Sequence, residues 1–213
     1  MVQIQARLRS TDPLRAPALR RMELKFSAPL VDQLLAEVWP VRGIEAGRDQ
    51  EFTVYILPSY KVGDPGFDRL KVRASSSSKL DLISVRSGSA TALRFGSGQT
   101  HWPGAWSVVE EGPGYFELDL PEIARRSSGI YAVTFKTRVF LNSTTFFVEL
   151  SNANRPGTIQ IASDGDASDL AGSQSMVVVT DLLKAPLLDS LHVEPDIFTP
   201  NGDGINDQTR VHF

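Results

Sequence analysis

Apolar and polar residues alternate with a period of two over one short run after another, the spacing of a strand with one buried face. Residues 52–57 (Phe-Thr-Val-Tyr-Ile-Leu) are apolar on both faces and read as a central strand. In 67–74, Leu70 and Val72 face inward. Leu80, Leu82 and Val85 make the next strand and 90–95 another. Residues 107–111 and 115–120 flank Gly112-Pro113-Gly114, whose turn residues signal a hairpin. In 129–141, Tyr131, Val133, Phe135, Thr137, Val139 and Leu141 share one face, Asn142-Ser143-Thr144 turns the chain, and 145–150 returns. A second hairpin so rich in Phe and Val belongs at the heart of a sandwich. Residues 158–162 and 175–180 supply two more strands.

Outside this core the pattern is less uniform. Residues 2–9 alternate from the second residue, as though reading began inside a strand. Met22, Leu24 and Phe26 form a second run. This pair closes a preceding β domain or opens the sandwich. In 27–39, Leu30, Val31, Leu34, Leu35 and Val38 carry the chain's one helical rhythm, with Pro29 suited to a first turn, although 34–39 reads equally as a strand. Short strands at intervals of roughly 8 to 15 residues, with no helix of ordinary length, predict an all-β fold. The expectation is an antiparallel Ig-like or cohesin-like β-sandwich over 28–181, preceded by the strand pair in 1–27. A linker over 182–197, stiffened by Pro186 and Pro195, leads to the start of a truncated Ig-like module over 198–213.

Composition narrows the function. The chain is 41% hydrophobic and 22% charged, ordinary for a folded protein. A net charge of −3 with interspersed signs gives no basic stripe for nucleic acid and no cationic face for lipid. No apolar run approaches the roughly 20 residues that span a bilayer, so membrane insertion is not expected. Absence of cysteine removes thiol catalysis, disulfides and Cys-based zinc sites. Met1 reads as the edge of a fragment or an incomplete gene start, with any export signal upstream.

The residues that could carry chemistry each have a structural alternative. Trp102 and Trp106, beside His101, fall in a loop where exposed indoles could stack on sugar rings or instead cover the end of the sandwich. His101, His192 and His212 are far apart, which argues against a histidine metal site or a catalytic triad. Glu110, Glu111, Glu117, Asp119 and Glu122 offer carboxylates enough for a glycosidase pair, but alternation on solvent-facing strand positions accounts for most of them. Asn142-Ser143-Thr144 matches a glycosylation pattern too short to carry weight. Asp164-Gly165-Asp166-Ala167-Ser168-Asp169 reads as a solvated turn. No enzyme and no cofactor are expected.

The densest turn is Asn201-Gly202-Asp203-Gly204-Ile205-Asn206-Asp207. Its glycines permit positive φ, and its Asn and Asp side chains can bond back to the loop's own backbone. The second use of Asn201, Asp203, Asn206 and Asp207 is as hard oxygen ligands for Ca²⁺, although no Glu closes the loop as calcium loops of the EF-hand type require.

With Phe198-Thr199-Pro200 in front of it, this loop resembles the opening motif of C-terminal Ig-like modules of bacterial surface and secreted proteins, both the flagellar hook-capping Ig-like type and the gliding-motility-associated, type IX secretion type. The resemblance covers about the last 20 residues. It implies a multidomain exported bacterial protein, extracellular or at the cell surface; the expected partners are neighbouring domains of the same polypeptide and a surface glycan or protein. The leading expectation is a non-catalytic structural or adhesive module. A carbohydrate-binding module using Trp102 and Trp106, and an accessory domain of a secreted hydrolase, are the alternatives.

Overall fold

The computed structural model describes residues 9, 14, 18–22, 28–126, 129–181 and 192–212. The N-terminal strand pair and most of the 182–197 linker lie outside the described residues. From Leu30 onward the alternation becomes two stacked sheets. The first runs, in spatial order, Ser163–Asp164 (β12), Gln33–Trp39 (β1), Asp49–Ser59 (β3), Ile130–Arg138 (β9), Asp81–Gly88 (β5) and Gln99–Trp102 (β6). The second runs Ile44–Glu45 (β2), Val177–Asp181 (β13), Ser143–Ser151 (β10), Phe67–Ala74 (β4), Tyr115–Ala124 (β8) and Ser107–Gly112 (β7). Ile159–Ile161 (β11) extends the edge of β10 beyond β13. Apart from the short parallel edge pairs β1–β12 and β2–β13, pairing is antiparallel, and the fold is the expected all-β sandwich.

The core lies between the sheets and is built from alternate positions. Phe52, Val54 and Ile56 of β3 and Val133 and Phe135 of β9 meet Leu70 and Val72 of β4, Phe116 and Leu118 of β8, and Phe146, Val148 and Leu150 of β10. Phe135 is the hub. Its ring lies 5.2 Å from Phe146, 5.9 Å from Phe116 and 6.2 Å from Phe52, in edge-on or tilted arrangements. Such contacts add to the ~1.5–3 kcal/mol gained by burying each ring.

The hairpin expected between 107–111 and 115–120 forms: β7 and β8 pair, with Gly112 opposite Tyr115 across Pro113-Gly114. The hairpin expected between 129–141 and 145–150 does not. β9 pairs with β3 and β5 in one sheet, while β10 pairs with β4, β11 and β13 in the other. Residues 139–142 therefore arch over the end of the sandwich. The phenylalanines of the two strands face each other across the core instead of lying side by side.

One open reading is settled and one expectation changes. The helical rhythm of 27–39 resolves into a strand, in which Leu34, Ala36 and Val38 alternate into the core. Leu30 and Val31 precede it and donate their amides to Gln160 Oε1 at 2.8 and 2.9 Å. The strand expected at 90–95 is a single helical turn, Ala90–Arg94 (α1), started by Ser89, whose Oγ accepts from Ala92 N at 3.1 Å. Leu93 of this turn packs with Ile130 and Ala132, and against Tyr55 and Leu57, on the outer face of the first sheet. That cover explains why β3 is apolar on both faces.

His192–Glu194 (β14) and Arg210–His212 (β15) pair as a separate two-stranded ribbon, with Val193 opposite Val211. Between them lies the Asn201 to Asp207 loop.

Candidate functional site

Trp102 ends β6, so it is a strand residue rather than the loop residue expected, and it packs half-buried against the core. Trp106 is 4% exposed and belongs to the core itself. Its indole stacks on the His101 ring at 4.7 Å and lies 5.6 Å from the Tyr131 ring. A sugar platform needs a free aromatic face, and Trp106 has given its surface to the protein interior. The pair covers one corner of the sandwich.

His101 Nε2 shares a 2.8 Å hydrogen bond with Ser87 Oγ, and burial pushes the imidazole below its ordinary pKa. A Ser–His contact is the first requirement of an activated nucleophile. Here Ser87 is 2% exposed on β5 and, among the described residues, no carboxylate orients the ring, so the bond ties β5 to the edge strand β6 instead of offering a hydroxyl to substrate.

The Asn201 to Asp207 loop is bonded to itself. Asp207 accepts Gly202 N on Oδ1 at 2.8 Å and Gly204 N on Oδ2 at 2.6 Å. Asp203 accepts Ile205 N on Oδ1 and Asn201 Nδ2 on Oδ2, both at 2.8 Å. Gly202, Gly204 and Asn206 hold positive φ, as the composition of the turn predicts. The Ile205 amide, followed by Asn201, lowers the pKa of Asp203. All four carboxylate oxygens thus serve the turn. Among the described residues no group of three or more His, Cys, Asp or Glu is placed to hold a metal.

Glu110, Glu117 and Asp119 of β7 and β8 sit on the outer face of the second sheet in a ladder of opposite charges. Lys71 lies 3.3 Å from Glu117 and 3.8 Å from Glu110; Arg69 lies 3.5 Å from Glu117 and 3.6 Å from Asp119; Arg73 pairs with Glu149. Tyr115 Oη donates to Glu110 at 2.7 Å. Cross-strand neighbours of opposite sign are what an exposed face of a sheet needs.

One polar residue that sequence reading missed has a large structural role. Glu37, on β1, is fully buried, and its carboxylate accepts Ser168 N at 2.7 Å, Gln174 N at 3.0 Å and Ser173 N at 3.1 Å. It pins the 165–174 loop over the first sheet. Asp164, expected in a solvated turn, accepts Met176 N at 3.1 Å and closes the base of that loop, while Ala167 and Ser168 are buried beneath it. Glu37 falls on the outward phase of β1 between Ala36 and Val38, and only its covering loop, more than 130 positions away, buries it.

At the other end of the sandwich from the 139–142 arch, three loops interlock around a groove of about 800 Å³. Asn152 donates its amide to Gly66 O at 2.8 Å and accepts Asn154 N at 2.9 Å, Ala153 N is bonded to Asp68, and Arg155 N to Asn152 O. Asp64 accepts both Lys61 N and Asp32 N. Gly66 adopts φ +73°, and a Cβ there would lie 2.8 Å from Arg125 Cγ, so the arginine stem is laid directly over the 60–66 loop. Arg125, Arg126 and Arg155 line the groove. Sequence reading singled out none of them. β8 and β10 both flank β4, and that arrangement brings their ends together.

No family model matches the chain, and no curated protein matches it. Among solved structures it is similar to a DUF4466 family protein from Parabacteroides merdae, at 13% identity and TM-score 0.39 over 62% of this chain and 42% of that one. It is also similar to BcpA, the major pilin subunit of Bacillus cereus, at 9% identity and TM-score 0.39 over 76% of this chain and 41% of that one. A third is a PapD-like domain of human CEP192, at 11% identity and TM-score 0.31 over 81% of this chain and all of that one. The chain thus spans about two fifths of the first two structures. At these scores the fold assignment stands on the sheets themselves: the chain is an antiparallel β-sandwich.

Proposed function

We propose that this chain is a non-catalytic structural or adhesive module of a multidomain bacterial protein, exported to the cell surface or beyond. The observation that carries the reading is how its polar side chains are engaged. Ser87 and His101 tie β5 to the edge strand β6, Glu37 pins a loop, Glu110 and Glu117 both pair with Lys71, and Asp203 and Asp207 build a turn. Groups with catalytic potential are committed to holding the sandwich and its ribbon in shape, which is the work of a spacer that positions its neighbours. The exported reading rests on the resemblance of residues 198–207 to the opening of surface-protein Ig-like modules. Its partners are then the neighbouring domains of the same polypeptide and a surface glycan or protein. Trp106 is too buried to serve as a carbohydrate platform.

The test is protease shaving of intact cells that produce the full-length protein carrying an epitope beside this module. External protease is expected to remove the epitope without lysis. An epitope protected until the cells are broken overturns the surface assignment.

A further inference from the structure

The groove at the loop end of the sandwich gathers three arginines that the ion-paired sheet faces do not hold. On the sheet faces, Arg69, Lys71, Arg73 and Arg138 each have a carboxylate partner. Arg125, Arg126 and Arg155 line one groove, are exposed, and form no ion pair or side-chain hydrogen bond among the described residues. Lys61, which also lines it, is balanced by Asp32 at 2.5 Å, and Asp64 is held by two backbone amides. Tyr60, also in the lining, has a buried hydroxyl with no hydrogen-bond partner among the described residues. The lining therefore carries an excess of donors and positive charge over acceptors. The loops that present it are fixed by the Asn152, Asp64 and Asp68 bonds, so little order remains to be imposed on binding.

We infer that this groove binds an acidic polysaccharide through Arg125, Arg126 and Arg155. Guanidinium forks match carboxylate and sulfate oxygens in paired hydrogen bonds, and three of them around one groove suit a ligand with repeated anions. The volume is that of a small-ligand cleft. A saccharide fits better than an acidic peptide because the groove is built of loops, with Ile123 its one strand residue. Extended peptides are commonly held by pairing with a sheet edge. The inference deepens the adhesive side of the proposed function and rests on it for where such a ligand would be met.

The experiment measures binding of the purified full chain to polygalacturonate, dextran sulfate, neutral dextran and poly-glutamate at low and at physiological salt. Polygalacturonate or dextran sulfate is expected to bind, with neutral dextran silent and poly-glutamate weaker. The preferred one of the two shows whether the anion is carboxylate or sulfate. The triple variant Arg125→Ala, Arg126→Ala, Arg155→Ala is expected to lose about tenfold or more in affinity. The charge-matched variant Arg42→Ala, Arg94→Ala, Arg210→Ala is expected to keep it, with each variant's thermal unfolding midpoint confirming the fold. Equal losses in the two variants, stronger binding of poly-glutamate, or no binding of either acidic polysaccharide would each overturn the inference. Because binding is measured on purified protein and shaving on cells, the two proposals fail separately.

Discussion

Two neighbouring strand pairs of similar length end up on opposite sides of a topological choice. Strands β7 and β8 pair with each other, while β9 and β10 separate into different sheets. The first connection is two residues, Pro113-Gly114, with Gly114 at φ +78°. A proline followed by a glycine in that region is the chemistry of a tight reversing turn, and it returns the chain beside itself. The second, Val139-Phe140-Leu141-Asn142, has neither glycine nor proline. Val139 is fully buried, and Thr180 binds the crest, its Oγ1 donating to Leu141 O at 2.9 Å and its N–H to Asn142 O at 3.2 Å. One connection is shaped by its own backbone and the other by what it packs against.

The largest expected effect removes the packing that separates the arch strands. Phe135→Ala deletes the ring that meets Phe52, Phe116 and Phe146, and should cost about 3–5 kcal/mol of unfolding free energy in urea titration. A loss below ~1 kcal/mol would mean that the sheets are held apart by something other than this cluster. Glu37→Gln comes next. It puts an amide where several N–H donors converge, and should cost about 2–4 kcal/mol with early loss of amide exchange protection in 165–174. Protection unchanged in that loop would remove Glu37 as its anchor.

Gly114→Ala tests the hairpin directly. The new Cβ would strike Ser76 O while the backbone is held at positive φ, and about 1–3 kcal/mol should be lost. Asn142→Gly in the arch should change stability by less than about 1 kcal/mol, because no special turn geometry is required there. Equal sensitivity of the two connections would break the comparison. Thr180→Val, which removes the hydroxyl bonded to Leu141 O, should cost on the order of 1 kcal/mol.

The smallest effect is acid dependence at the foot of the arch. Arg138, the last residue of β9, donates to Asp49 at 2.6 Å and lowers that carboxyl below its ordinary value. A depressed carboxylate contributes stability above the unfolded-state pKa, near 4, and that contribution is lost as pH falls through the lower folded value. Urea midpoints measured from pH 5 downward should therefore fall slightly less steeply for Asp49→Asn than for the unaltered chain. Parallel slopes would show that this exposed pair contributes nothing.

The sequence by itself determined the elements whose physics is local. Period-two alternation placed most strands of the sandwich but not the short β2, β6 and β12, Pro113-Gly114 placed its hairpin, and the glycines and carboxylates of 201–207 specified a self-bonded turn. Each depends on residues within a few positions of one another. What only the tertiary structure decided depends on partners far along the chain. Ala90–Arg94 reads as a strand until Leu93 finds Ile130 and Ala132, and Trp106 stays open between an exposed indole and a cover for the sandwich end until His101 and Tyr131 close over it. Glu37 reads as solvent-facing until Ser168 to Gln174 covers it, and Arg125 and Arg155 meet only because β4 lies between their strands. Alternation specifies which face of a strand is buried; it carries no information about which sheet the strand joins or what covers its other side.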